Sequence, residues 1–124
     1  MLTIDYQNRK PLYEQVVERI QLLILSGAME PGTQLPSVRA LAVDLSMNPN
    51  TIQKAYNCLE KEGYIYPVKG KGNFVSGDKG LKEKQQKLFF ETVEQLVKRG
   101  RALGVTREEF VKQAALYFEE GEVL

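Results

Sequence analysis

Asn50, Gln53, Lys54 and Asn57 recur at helical spacing, which at about 100° per residue gathers them on one face. Side-chain amides can make paired hydrogen bonds with the major-groove edge of adenine, and an ammonium can reach a guanine edge or a phosphate. The face is rich in amides and poor in carboxylates, which gather only at its far end in Glu60 and Glu62. A plain solvated face would be equally polar, so this helix alone leaves both readings open. A second group lies downstream in Lys69-Gly70-Lys71-Gly72. Glycine lets a backbone come close to a phosphate and lysine neutralises it; solubilising lysines on an ordinary hairpin are the alternative.

Other chemistries are poorly supplied. The chain has no histidine and one cysteine, Cys58, so an internal disulfide is excluded and zinc would have to rely on carboxylates alone. The same absences remove the Ser–His–Asp and Cys–His routes to an activated nucleophile. Carboxylate or lysine chemistry stays open, but no pairing stands out. We therefore expect no enzyme, no metal and no cofactor. Net charge is +1, with eight Lys/Arg against seven Asp/Glu in residues 1–77 and nine of each in residues 78–124. A nucleic-acid site would have to arise from local clustering. No run approaches the roughly 18–20 apolar residues of a membrane span, and the first residues lack the regions of a signal peptide. A cytoplasmic protein with no membrane partner is expected.

Three helices must position the amide face. Pro11 suits a first turn, and Leu12, Val16, Ile20 and Leu23 then follow one face of a helix that Gly27 closes. Met29 to Gln34 is turn chemistry, with Pro31-Gly32 suited to the middle of a type II turn. Ser37 can cap a second helix carrying Val38, Leu41, Ala42 and Leu45. Asn48 and Pro49 then suit the cap and first position of a third, whose apolar stripe is Ile52, Ala55, Tyr56 and Leu59. The separation of the second and third helices fits a helix-turn-helix. Tyr64 to Val68 and Asn73 to Val75 are β-prone and flank the lysine-tipped turn. Three helices followed by a basic hairpin is the winged helix order.

Ser76 to Gly80 reads as a linker. Beyond it Phe89, Val93, Leu96 and Leu103 mark an amphipathic helix that could falter at Gly100 or Gly104. Thr106-Arg107-Glu108-Glu109 has the form of a capping box, opening a helix with Phe110, Ala114 and Tyr117 on one side. Val111, Ala115 and Phe118 lie beside them. Two such helices are too small to stand alone, so packing on the first domain and on a second copy of the chain is expected.

The combined motifs resemble the GntR family of bacterial transcriptional regulators over about residues 4–76. Pro11 to Val16 is similar to the family's first helix. The stretch Gly27 to Ala42, with Pro31-Gly32, Leu35-Pro36-Ser37 and Arg39-Ala40-Leu41-Ala42, is similar to its signature loop and second helix. Asn50 to Glu60 and Gly63-Tyr64-Ile65 resemble its recognition helix and the entry to the wing. The resemblance implies a mainly α fold with a small β-wing: a winged helix-turn-helix DNA-binding domain at 1–77 and a short helical dimerisation or regulatory region at 78–124. That tail, about 45 residues, is too short for the family's large sensor domains and resembles the short-tailed YtrA subfamily. The implied partners are a double-stranded DNA operator and a second copy of the chain. Genes beside transporter genes are typical of that subfamily, which makes exporter control an expectation.

By position, the family's DNA-contacting roles fall on Arg39, Asn48, Asn50, Thr51, Gln53, Lys54, Lys69, Gly70 and Lys71. Pro49 departs from relatives that carry an arginine there, so that position can make no polar base contact while the docking mode stands. Phe89, Val93, Leu96, Phe110, Ala114 and Tyr117 are the expected dimerisation residues. Competing readings exist for several of these. Arg39 could instead pair with Asp44, Cys58 could be a redox sensor or an inert thiol, and Phe89, Phe90, Phe110, Tyr117 and Phe118 could line an effector pocket rather than a dimer core. Tyr64 and Tyr66 are read as strand packing. The function expected is a homodimeric regulator, a repressor in preference to an activator, on a pseudo-palindromic operator. A winged helix serving as a protein-interaction module is the alternative. No small-molecule effector can be named from the sequence.

Overall fold

The computed structural model describes residues 2–123. Helix α1, Leu12–Leu25, begins immediately after Pro11, which occupies the cap position rather than the first turn expected for it. Ser26 closes the helix and Gly27 follows at φ +85°, the left-handed conformation that glycine adopts without a Cβ clash. The Thr33 amide then donates to the Glu30 carbonyl at 3.0 Å across Pro31 and Gly32, with Gly32 at φ +84° as a type II turn requires.

Helix α2, Val38–Leu45, is capped by Ser37, whose hydroxyl accepts from the Ala40 amide at 3.1 Å. Three residues separate it from α3, Pro49–Lys61. Within that turn Ser46 takes a left-handed conformation at φ 53°, and the Met47 amide donates back to the Ala42 carbonyl at 2.9 Å. Strands β1, Ile65–Val68, and β2, Gly72–Val75, form the antiparallel hairpin, with Ile65 opposite Val75 and Val68 opposite Gly72.

The loop before α2 contributes a short third edge that its turn-like residues concealed. Val75 donates to the Thr33 carbonyl and Leu35 donates to the Asn73 carbonyl, each at 2.9 Å, and Gln34 bridges Phe74. The hairpin is thereby tied to the chain preceding the helix-turn-helix.

The stripe Ile52, Ala55, Tyr56 and Leu59 is fully buried. It packs in one core with Val16, Val17 and Ile20 of α1, Leu41 and Ala42 of α2, and Tyr64, Ile65 and Val75 of the hairpin. Burying a side chain of this size contributes about 1.5–3 kcal/mol. The Tyr56 hydroxyl donates to the Pro36 carbonyl at 2.7 Å, joining α3 to the loop before α2. Burial pushes its pKa up to about 12, so it remains a neutral donor. Gln15, the buried polar residue of α1, accepts from the Asp5 amide and donates to the Lys10 carbonyl, both at 3.1 Å. These bonds hold the N-terminal segment in place, and the Tyr6 hydroxyl caps the end of α2 by donating to the Leu45 carbonyl at 2.8 Å.

The chain forms two compact units, one ending at Lys82 and one beginning at Glu83. Leu81, in the first turn of α4 (Gly80–Ala102), is buried in the core of the first unit. In the second unit α4 passes through Gly100 without a break, and the chain turns at Gly104, φ +80°. The Val105 amide donates to the Gly100 carbonyl at 2.9 Å and satisfies one of the terminal carbonyls. Helix α5, Arg107–Val123, opens on the expected cap: the Thr106 hydroxyl accepts from the Glu109 amide at 3.2 Å and donates to the Glu109 carboxylate at 3.0 Å. Among the described residues, no helix is long and apolar enough to cross a membrane.

Candidate nucleic-acid interface

Opposite its buried stripe, α3 presents Asn50, Gln53, Lys54 and Asn57, all exposed, with Thr51 half-buried beside them. This separation follows from the period of the sequence: the apolar positions hold the helix on the core, and the amides are left facing water. Asn48, also exposed, is already occupied in part. Its side-chain oxygen caps α3 by accepting from the Asn50 amide at 2.8 Å, which leaves its NH2 group as a donor with no partner among the described residues.

Two of the exposed side chains have defined partners. Gln53 Nε2 donates to Asn57 Oδ1 at 2.9 Å, one helical turn further along. Lys54 Nζ lies over the ring of Tyr13 in α1, 4.0 Å from its centroid, a cation–π contact worth about 0.5–1 kcal/mol at an exposed site. Neither Tyr13 nor the Gln53–Asn57 pairing is signalled by local sequence. Tyr13 is far from Lys54 along the chain, and an amide pair at i, i+4 is a geometric matter that composition does not disclose.

Arg39, the second residue of α2, is exposed. The ion pairs among the described residues are Lys10–Glu18 at 2.7 Å and Glu94–Lys98 at 3.3 Å, so the alternative pairing of Arg39 with Asp44 is not formed. The Glu18 carboxylate, which accepts a hydrogen bond from Lys10, raises the Lys10 pKa. Cys58 is half-buried and packs against the core. Tyr64 is buried in the core just before β1 and so is not itself a strand residue, whereas Tyr66 lies in β1, is 44% exposed and stacks on Phe74 with ring centroids 5.9 Å apart.

The hairpin tip is Lys69-Gly70-Lys71, all exposed, with Gly70 at φ +77°. The Lys71 amide donates to the Val68 carbonyl at 2.9 Å and closes the turn. A residue missed from sequence holds this tip from outside: Gln34 Nε2 donates to the Lys71 carbonyl at 2.6 Å. The approach is close enough that a Cβ on Gly72 would lie 3.1 Å from the same nitrogen. Replacing Gln34 with Ala therefore frees the tip while leaving the core untouched. Trypsin should cut after Lys69 or Lys71 roughly 2- to 10-fold faster, the effect of one net hydrogen bond on local opening. An unchanged cleavage rate would show that Gln34 does not restrain the wing.

The exposed amides on a helix-turn-helix, followed by a lysine-tipped hairpin, have a counterpart among known proteins. Residues 12–75 match the model of the bacterial regulatory proteins of the gntR family.

The chain belongs to the GntR family.

Along almost its whole length it is similar to the HTH-type transcriptional repressor YtrA of Bacillus subtilis, 36% identical over 127 residues, with 98% of each chain covered. A solved structure of a GntR family transcriptional regulator from Listeria monocytogenes superposes with a TM-score of 0.77 at 34% identity, covering 90% of this chain and 97% of that one. A third likeness covers a smaller share of the chain. The DNA-binding domain of AraR, solved in complex with operator ORE1, matches with a TM-score of 0.53 at 30% identity over 61% of this chain and 93% of that one. This GntR chain is thus a DNA-binding regulator of transcription and not an enzyme.

Proposed function

We propose that this GntR regulator acts as a homodimer that represses transcription from a pseudo-palindromic operator, each copy reading one half-site. The observation that carries the reading is the exposed amide face of α3, set opposite a stripe that is entirely buried. In the proposed complex α3 enters the major groove, where Asn50 and Gln53 meet base edges. Asn48 through its free NH2, Thr51, Lys54 and Arg39 contact phosphates or a guanine edge. Lys69, Gly70 and Lys71 lie on the flanking backbone. The name of the full-length relative, a repressor, supports repression, and the likeness to the YtrA subfamily makes transporter genes the expected targets.

Residues 1–77 carry the DNA-binding role in this reading and residues 78–124 the pairing. Large apolar side chains left in water mark interaction surfaces. Phe89 is 59% exposed, Leu96 53%, Phe110 38% and Tyr117 65%, with Val93 and Ala114 half-buried among them. A dimer would present two copies of α3, as half-sites about one helical turn apart require.

Solution mass tests the pairing. The wild type is expected near twice 14.1 kDa at micromolar concentration, and Leu96→Glu or Phe110→Glu should shift it towards a single chain. The same variants should lose the preference for a two-half-site duplex over a single half-site. A wild type that stays at the mass of one chain would overturn the homodimer.

A further inference from the structure

We propose that Asn57 is a positioning residue that holds the Gln53 amide ready to read adenine. The proposal rests on α3 being the recognition helix and deepens that reading by assigning a base class to one position. Gln53 Nε2 donates one of its two protons to Asn57 Oδ1 at 2.9 Å. Its second N–H and its Oε1 take no partner among the described residues, and both side chains are exposed on the polar face of α3. Adenine presents N7 as acceptor and its N6 amino group as donor in the major groove; guanine presents two acceptors there. The uncommitted N–H and Oε1 of Gln53 form the donor–acceptor pair that matches adenine, and Oε1 would face the O6 acceptor of guanine.

A free glutamine would have to give up several rotamers on binding. Gln53 has given up much of that freedom already, because Asn57 lies one turn along the same helix and holds its amide nitrogen. Lys54, the neighbouring cation, is drawn aside by the Tyr13 ring at 4.0 Å and does not occupy Asn57. Asn57 thus acts on the base through Gln53.

The probe is the duplex that the wild type enriches from a pool of randomised duplexes, together with versions carrying A-to-G changes at each position. Four proteins are compared: wild type, Gln53→Ala, Asn57→Ala and the double variant. Gln53→Ala should abolish the preference for adenine at one position in each half-site. Asn57→Ala should reduce that same preference about 3- to 10-fold, with salt slope and melting temperature unchanged, as loss of preorganisation predicts. In the Gln53→Ala background, Asn57→Ala should change nothing further. Asn57→Asp retains the acceptor oxygen, so it should keep the base preference while weakening binding to all duplexes alike.

An adenine preference that survives Gln53→Ala, or that ignores Asn57→Ala, overturns the proposal. So does an Asn57 effect that persists without Gln53, which would make Asn57 a base reader in its own right. If the wild type enriches no duplex, the recognition-helix reading itself fails, and that result is distinct from the others.

Discussion

Replacing Lys69 and Lys71 together with Ala is expected to weaken binding to every duplex alike and to flatten the salt dependence of the bound dimer by about 3.6 in log–log slope, about 0.9 for each of the four phosphates no longer neutralised by its two wings. Both lysines stand on an exposed turn and neither takes part in an ion pair among the described residues, so their charge is available to a phosphate. Neither belongs to the core, and surface changes of this kind usually alter stability by less than about 0.5 kcal/mol. The loss should therefore appear in binding and not in folding. Titrations of the double variant and the wild type across a range of salt, on the enriched duplex and on a scrambled one, provide the check. Selective loss on one duplex, or an unchanged slope, would remove the wing from the interface.

The second large effect is on stability. Ile52→Ala should cost about 2–5 kcal/mol, the range for truncating a buried aliphatic side chain. Ile52 is 0% exposed and lies in the stripe that fastens α3 to α1 and α2, so the cavity forms where the recognition helix is held. Small domains have only about 5–15 kcal/mol of stability in total. With a typical urea dependence of about 2 kcal/mol/M, the unfolding midpoint should fall by roughly 1–2.5 M at fixed protein concentration. Val43→Ala, at a helical position 77% exposed, serves as the control and should barely move it. Equal midpoints for the two variants would mean that Ile52 does not anchor the helix.

Periodicity made the helices legible. The four positions of the α3 stripe are the four residues that the structure buries, and Ser37, Asn48 and Thr106 cap the helices they precede. Each of these signals is local, set by residues within one turn of each other. The hairpin was legible for the same reason, because two β-prone runs flank a glycine-containing turn over a short span. Pro11 moved by one position, a difference too small for first-turn preference to resolve. Gly100 stayed helical, although glycine costs a helix about 1 kcal/mol, and the chain broke its path at Gly104 instead.

Contacts between distant segments could not be read in this way. Thr33 and Gln34 looked like the end of a turn, and with Leu35 they pair with β2 because the folded chain brings that strand alongside. Gln34 reaches the Lys71 carbonyl across 37 positions, and Tyr13 reaches Lys54 from another helix. These side chains set the posture of the candidate site without carrying any pattern of their own. Asn57 is an intermediate case: its place on the polar face was legible, but its hydrogen bond to Gln53 was not.

DNA reading by this protein is tested most directly by the affinity of the wild type for the enriched duplex, followed across salt and compared with a scrambled duplex of equal length. Sequence-specific reading by α3 with phosphate contacts from the wing predicts tight binding to the first, weaker binding to the second, and a linear log–log fall with salt for both. Equal affinity for the two duplexes would contradict sequence-specific reading by α3. Absence of salt-sensitive binding to either would contradict the interface as a whole.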